Sequence, residues 1–294
     1  VSVTVTSAYQ EIIIPPSHNL IIYCLASGGF SVGRLFLGGF IPGVVLGVSL
    51  MILSFVIAVK RNYPKEEAFT LAQAVKISKD AILGLLTAVI IIGGVISGVF
   101  TATESAAIAT VYAFIITFFV YREIPLSAFW RMLRVSLRTL AMVMSLIAAA
   151  NAFGWLLAFL QVPSKATELL LAITQSRVAL LLLINVLLLI LGTIMDMAPL
   201  ILITTPILYP VVVTTLGLDP VQFGILMMLN LGIGLCTPPV GSALFVGCAV
   251  GKTSIEAATK AMLPFYATML VVLMLVTFIP DLVMYIPNAI MGPR

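Results

Sequence analysis

Charged residues are scarce in this chain of 294 residues, of which only 9% are Asp, Glu, Lys or Arg. A soluble globular domain carries about 25% charged residues. Apolar residues make up 62% of the chain, and the mean hydropathy is +1.22. A soluble fold of this length cannot bury so much apolar surface. The composition therefore excludes a cytosolic enzyme, a secreted disulfide domain and a disordered chain.

Cysteine and histidine are also few, with three cysteines (Cys24, Cys236 and Cys248) and a single histidine in the whole chain. The cysteines lie in apolar sequence and form no Cys-x-x-Cys pair, so a zinc site or a disulfide framework is not expected. The formal net charge is only +4. That small excess gives no support for a nucleic-acid partner.

Long apolar runs are what the sequence has in excess. A membrane-spanning helix needs about 20 apolar residues, and runs that are apolar on every face favour helices over the alternating strands of a barrel. Five runs are continuous, and three further apolar regions are interrupted by polar residues, Gly or Pro. The continuous runs are 41–59, 81–99, 104–121, 139–160 and 262–286, and the interrupted regions are 1–28, 178–215 and 221–250. The predicted fold class is an all-α polytopic membrane protein.

Basic residues predict the orientation of these spans, because cytoplasmic loops are enriched in Lys and Arg. The loops 60–79, 122–138 and 251–260 are rich in them, whereas the opposite loops hold only Arg34, Lys165 and Arg177. We therefore expect the three rich loops in the cytoplasm and the C-terminus outside it. The stretch 125–138 is basic and amphipathic, which predicts a segment along the membrane interface.

Two segments of the chain, 13–32 and 236–255, repeat one pattern. The charge distribution gives the two copies opposite directions across the membrane. Inverted repeats are typical of secondary transporters, which bind their cargo where the repeats meet. The matching positions are Pro15-Pro16 with Pro238-Pro239, Gly28 with Gly251, and Ser31 with Ser254.

A Pro-Pro pair inside an apolar span breaks the helix, because proline lacks an N–H and disfavours α geometry in the preceding residue. The freed carbonyls must line a cavity enclosed by protein, where they can bind a cation. A simple kink in a bundle helix is the alternative. We favour the broken helix, because polar residues follow both pairs. These residues are Ser17 and Asn19 in the first copy, and Gly241 and Ser242 in the second.

The region 178–215 has two interpretations, since its halves meet at the polar segment 192–199. It forms either two full spans or a re-entrant hairpin whose tip lies at membrane depth. Two spans would place Asp196 and no basic residue in a cytoplasmic loop, against the bias elsewhere. The hairpin is favoured, because Gly192, Thr193 and Pro199 suit an unwound tip. An intramembrane carboxylate is a functional candidate, although Asp196 also suits the N-cap of the following helix.

Four motifs resemble the large membrane subunit of TRAP (tripartite ATP-independent periplasmic) transporters, and the resemblance covers 1–286. They are I-I-P-P-S-H-N at 13–19, G-V-F-T-A-T-E-S-A-A at 98–107, G-T-I-M-D-M-A-P-L at 192–200 and T-P-P-V-G at 237–241.

The resemblance implies sodium-coupled import of a small carboxylate, such as a C4-dicarboxylate or sialic acid, by an elevator mechanism. It implies a periplasmic binding protein and a small membrane subunit as partners, in the bacterial inner membrane. It also implies an inverted-repeat fold with re-entrant hairpins and discontinuous helices.

The resemblance also predicts how the chain is divided. We expect 1–59 to be the remnant of an incomplete first repeat, with a discontinuous helix at 1–28 and a span at 41–59. A cytoplasmic connector follows at 60–80, and 81–294 forms the second repeat. Because the chain opens at Val1 in apolar sequence, we expect it to be the C-terminal two-thirds of a subunit and not to transport alone.

Sodium prefers hard oxygen ligands, which unwound carbonyls, hydroxyls and carboxylates supply. We predict one sodium between the hairpin tip and the second break, and a second near 15–19. The substrate carboxylate is expected between them, and no other cofactor is predicted. The predicted sodium ligands are Thr193, Asp196, Thr237 and Ser242, and the wider site adds Ser17, Asn19, Pro238 and Gly241.

Two other function classes fit the sequence less well. A membrane-embedded enzyme needs a nucleophile with a base, or a metal set, and one histidine with Asp196 offers neither. A channel does not explain the inverted breaks. Proton-coupled anion transport through Asp196 is the nearest alternative. Glu104 could be a cation ligand, but Thr101-x-x-Glu104 before an apolar run favours a capping box.

Overall fold

Helices are the regular elements throughout residues 1–63, 70–122 and 124–293, which the computed structural model describes. In chain order they begin with α1 Ser2–Gln10, α2 His18–Ala26, α3 Val32–Lys60, α4 Leu71–Ile96, α5 Ala102–Ile115 and α6 Phe129–Phe159. They continue with α7 Val162–Ile173, α8 Arg177–Ile194, α9 Met197–Tyr209, α10 Pro220–Leu235, α11 Ser242–Val250, α12 Ile255–Phe278 and α13 Asp281–Met291. Turns of π-helix extend α5 over Ile116–Tyr121 and α9 over Pro210–Thr215, and a 3-10 turn at Leu126–Ala128 precedes α6.

Six of the described helical segments are long and apolar enough to cross a membrane. They carry large exposed apolar side chains such as Phe55 on α3 and Trp155 on α6, which suits contact with lipid. The prediction of an all-α polytopic membrane protein is confirmed. The six segments are Val32–Lys60, Ala102–Tyr121, Leu126–Phe159, Arg177–Ile194, Met197–Thr215 and Ile255–Phe278.

The chain divides into two compact units. Unit 1 comprises Val1–Lys60 with Ile147–Arg294, and unit 2 comprises Arg61–Leu146.

The two copies of the sequence repeat have the same helical layout inside unit 1. Helices α1 and α2 flank a break at 11–17, and α10 and α11 flank a break at 236–241. Each copy then turns into a long helix, α3 or α12. The two aligned serines make the same kind of contact at the start of their long helices. Ser31 Oγ accepts a hydrogen bond from Arg34 N at 3.3 Å, and Ser254 Oγ accepts one from Ala257 N at 3.3 Å.

Helix α10 forms the core of unit 1 and is buried along almost its whole length. Tyr9 of α1 donates a hydrogen bond to the Leu229 carbonyl at 2.8 Å, and Tyr23 of α2 donates to the Pro220 carbonyl at 2.7 Å. The Tyr9 ring occupies the space that a Cβ at Gly232 would need. The first broken segment is therefore seated directly on the second.

Unit 2 is held by contacts between α4 and α5 and by an aromatic cluster. Tyr112 of α5 donates to the Leu83 carbonyl of α4 at 2.9 Å. Phe114 packs against Phe129 with ring centroids 5.4 Å apart. At the start of α5, Glu104 accepts from Thr101 N at 2.8 Å. Glu104 N donates to Thr101 Oγ1 at 3.3 Å, so the predicted capping box is present.

Three boundaries differ from the sequence prediction, and one helix was not predicted. Helix α4 begins at Leu71, inside the predicted connector 60–80, of which residues 64–69 lie outside the described part. The stretch 125–138 is continuous with the span 139–160 in the 31-residue helix α6. The span 262–286 ends at Phe278, and α13 follows Pro280 as a separate helix. Helix α7 was not predicted, because its mixed polar sequence lacks a long apolar run.

Candidate functional site

The junction between α8 and α9, residues 193–197, lies against the second helix break. The Thr193 carbonyl accepts a hydrogen bond from Val240 N at 3.0 Å. One residue earlier, the backbone of Gly192 occupies the place that a Cβ at Gly234 would take. Only paired glycines allow two helix ends to approach this closely. This contact fixes the tip, as we call residues 193–197, against the end of α10.

The same tip also lies against the first helix break. Asp196 and Met197 line a cavity of about 230 Å³ together with Glu11, Ser17 and Asn19 from the first broken segment. The cavity is further lined by Ile12, Pro16, His18, Ala198 and Leu235. The tip therefore meets both breaks of the inverted repeat.

Oxygen acceptors are concentrated in this cavity. Asp196 occupies the N-cap position of α9, but its carboxylate makes no cap hydrogen bond. Asn19 is buried and donates to the Met197 sulfur at 3.3 Å, while its Oδ1 has no hydrogen-bond partner among the described residues. Ser17 is also buried and donates to the Ile12 carbonyl at 2.7 Å. Buried acceptors without donors are rare, and such a set can accept hydrogen bonds or bind a hard cation.

Helix N-termini are directed at the same place. Helix α2 begins at His18 and α9 begins at Met197, and both residues line the cavity. The first amides of a helix have no partner in the helix, and the helix dipole makes that end electropositive. The cavity thus presents carboxylate and amide oxygens beside two electropositive helix ends, an arrangement suited to a cation and an organic anion together.

Two of the four predicted sodium ligands, Asp196 and Ser242, line different cavities. The hydroxyl of Thr193 donates to the Ile190 carbonyl at 2.8 Å, and that of Thr237 donates to the Ile233 carbonyl at 2.7 Å. Both hydroxyls keep lone pairs. Ser242 lines a separate, largely apolar cavity of about 510 Å³ between α11 and α1, away from Asp196. Asp196 lies at the first break, with Ser17 and Asn19, and not at the second.

Residues Pro238 and Gly241 shape the second break. The Pro238-Pro239 bond lies between α10 and α11, and a Cβ at Gly241 would crowd the Thr237 carbonyl. Tyr266 of α12 donates a hydrogen bond to the Cys236 carbonyl at 2.5 Å. This bond gives a partner to one of the backbone carbonyls that the break leaves without one. Tyr266 was not recognised from the sequence, because nothing local to it indicates a contact 30 residues away.

Comparison with known proteins identifies the family. The family described as "Tripartite ATP-independent periplasmic transporter, DctM component" matches residues 1–282. The sialic acid TRAP transporter large permease SiaM of Vibrio cholerae is 39% identical over 280 residues, which cover 95% of this chain and 65% of that protein. The isethionate TRAP transporter permease DctMQ of Oleidesulfovibrio alaskensis is 40% identical over 278 residues, which cover 93% of this chain and 43% of that protein.

The C4-dicarboxylate TRAP transporter large permease DctM of Pseudomonas aeruginosa is 39% identical over 277 residues, which cover 94% of this chain and 64% of that protein. The chain thus spans about two thirds or less of the length of these three relatives. The predicted resemblance is confirmed, and so is the prediction of a transporter component and not an enzyme. The chain belongs to the DctM family of TRAP transporter large permeases.

Proposed function

We propose that the chain forms the cargo-binding part of a sodium-coupled importer of a small organic anion. The observation that carries this proposal is the tip at 193–197, which contacts both helix breaks of an inverted repeat. In secondary transporters the substrate and its coupling ions bind at such an interface. The complete permease is proposed to work in the bacterial inner membrane with its C-terminus in the periplasm. A small membrane subunit and a periplasmic binding protein are its proposed partners.

Sodium is the proposed coupling ion because the tip is surrounded by hard oxygen ligands. One sodium is assigned to the first break, with Asp196 and Asn19 as ligands and Ser17 beside them. A second is assigned between the tip and the second break, with the Thr193 and Thr237 oxygens. Ser242 is assigned to neither, since it lines a different cavity.

A carboxylate is the proposed cargo group. The N-termini of α2 and α9 supply free amides and positive dipole ends for an anion. The relatives named for sialic acid and C4-dicarboxylates are named for carboxylates, and isethionate is an organic anion whose acidic group is a sulfonate. The shared chemistry is a small oxyanion on a polar carbon chain.

An elevator is the proposed mechanism. All the residues assigned to the site belong to unit 1. Unit 1 is therefore proposed as the moving body, and unit 2 as part of the scaffold.

Uptake by the complete transporter in proteoliposomes tests the coupling. With the binding protein and a radiolabelled carboxylate outside, an inward sodium gradient is expected to drive accumulation at constant pH. A proton gradient without sodium is expected to drive none. Accumulation driven by a proton gradient alone would overturn the sodium assignment.

Proton-coupled transport is the second candidate, and one observation favours it. Glu11 and His18 share the cavity with Asp196, so three titratable side chains lie together. In that case uptake would persist without sodium and would fall when Asp196 is replaced by Asn.

A further inference from the structure

Three buried polar side chains link α8, α10 and α12 inside unit 1. The Asn230 amide donates to Asn185 Oδ1 at 2.7 Å, and the Asn185 amide donates to Thr277 Oγ1 at 3.0 Å. Thr277 in turn donates to the Leu273 carbonyl at 2.7 Å. Exposed fractions are 1% for Asn185, 0% for Asn230 and 3% for Thr277. These three residues are called the amide cluster below.

The contacts determine the orientation of both amides. Asn230 Nδ2 also donates to the Leu226 carbonyl at 2.9 Å, and both of its partners are acceptors, so the nitrogen must occupy this position. Asn230 Oδ1 is then buried without a partner among the described residues. Leaving a buried acceptor unpaired is unfavourable. Leucines in place of both Asn185 and Asn230 would avoid that cost, so the cluster is not simply the most stable way to fill the core.

The amide cluster lies directly behind the tip. Asn185 precedes Gly192 on α8 by two helical turns, about 10 Å of helix. Asn230 precedes Gly234 on α10 by one turn, and Gly192 contacts Gly234. Beyond this glycine pair, the Thr193 carbonyl of α8 accepts the hydrogen bond from Val240 N in the second break. The cluster and the glycine pair therefore fix the rotation and height of α8 on α10.

Helix α12 reinforces the same alignment at both ends of α10. Gln222 donates to the Val276 and Thr277 carbonyls at 3.1 and 3.3 Å. At the other end Tyr266 donates to the Cys236 carbonyl. Helix α9, which follows the tip, is joined to α2 through the Asn19–Met197 contact and to α10 through Thr205, whose hydroxyl donates to the Met227 sulfur at 3.5 Å.

We propose that Asn185, Asn230 and Thr277 are positioning residues, which hold the Thr193 carbonyl against the second helix break and so set the sodium affinity of the tip. They act through α8 and touch neither ion nor cargo. The link to sodium rests on the proposed function, whereas the positioning of the tip does not.

Thr277→Val is the sharpest test, because valine keeps the shape of threonine and removes the hydroxyl that accepts from Asn185. In the complete transporter, the sodium concentration for half-maximal uptake is expected to rise about threefold, the factor equivalent to about 0.6 kcal/mol for one interhelical hydrogen bond in a membrane protein. The maximal uptake rate is expected to change less. Thr268→Val on the same helix is the matched control, since Thr268 is half-buried and its hydroxyl donates within α12, to the Pro264 carbonyl.

Thr277→Ser separates positioning from packing. Serine keeps the hydroxyl but loses a buried methyl group, so it is expected to lower thermal stability while retaining the parental sodium affinity. Thr277→Val is expected to lower both, because the buried Asn185 amide loses its acceptor. If sodium affinity followed thermal stability across the two variants, the cluster would have a structural role only and the proposal would be wrong.

Hydrogen exchange gives a readout that does not depend on sodium coupling. In the purified transporter, the Val240 amide is protected by the Thr193 carbonyl, so its peptide is expected to exchange faster in Thr277→Val and at the parental rate in Thr268→Val. Unchanged exchange would overturn the positioning role, whatever ion drives uptake. Should Thr277→Val fail to fold, Asn185→Leu combined with Asn230→Leu removes both amides without orphaning either, and the same acceleration is expected.

Discussion

At the scale of single residues, the site depends on side chains that are small or absent. The glycine pair at 192 and 234 allows α8 to meet α10, and the Gly232 position admits the Tyr9 ring. A methyl group at either place would overlap backbone or an aromatic ring that cannot move freely. Close packing of this kind makes the tip sensitive to substitutions that leave every polar group intact.

Gly234→Ala is therefore expected to destabilise unit 1, because its Cβ would overlap the Gly192 backbone. The cost of such overpacking is about 1–3 kcal/mol, and a thermal unfolding assay of the detergent-solubilised permease measures it. Gly154→Ala is the control, since open space surrounds that helical position. The control is expected to be neutral or slightly stabilising. Equal melting temperatures for the two variants would contradict the close contact.

Thr237→Val is expected to weaken apparent sodium affinity about tenfold in the complete transporter, by removing one ligand worth roughly 1–3 kcal/mol. Asp196→Asn is expected to do more, because it also removes the compensating charge. Sodium-dependent uptake measures both, with Ser242→Ala as control because Ser242 lines another cavity. An unchanged sodium dependence in Thr237→Val would remove Thr237 from the site.

At the scale of helices, the common feature of the site is that its helices are interrupted. Two broken helices and one helix–helix junction meet, and each leaves backbone groups without intrahelical partners. Tyr266 and Val240 satisfy two of these groups, and the first residues of α2 and α9 line the cavity at Asp196. Such unpaired backbone is tolerated at membrane depth only where protein encloses it. This is the physical reason to place the tip inside the bilayer.

The depth of the tip is a testable prediction, since α8 and Met197–Thr215 are each also long enough to span the membrane. A spin label at Met195 is expected to report a position near mid-bilayer in nanodiscs, and a label at Arg177 a position near the headgroups. Power saturation with oxygen and a nickel chelate measures both depths. A headgroup position for Met195 would favour two full spans over the hairpin.

At the scale of the whole molecule, the unequal distribution of basic residues predicts how the chain lies across the membrane. In a background without native cysteines, Lys165→Cys is expected to react with an impermeant thiol reagent applied to intact cells, and Lys252→Cys is not. Both lysines are exposed, so access to the reagent and not burial decides the outcome. Permeabilised cells give the control, in which both react. Labelling of Lys252→Cys in intact cells would reverse the predicted orientation.

Composition and periodicity determined the class of the protein because transfer into lipid depends on summed apolar area, which needs no coordinates. The sequence also predicted the breaks, since proline acts locally, and the Thr101–Glu104 capping box, since its groups are three residues apart. Four motifs were sufficient to identify the family.

Only the tertiary structure decided which break Asp196 faces, because the junction between α8 and α9 can pack toward either copy of the repeat with the same local sequence. The amide cluster was missed for the same reason. Asn185 and Asn230 each stand alone in an apolar run, and such a residue is a functional candidate within a membrane. Their partners, however, lie on other helices, at sequence separations of 45 and 92 residues. Contacts of that range depend on helix rotation and register, which close packing sets for the whole unit at once.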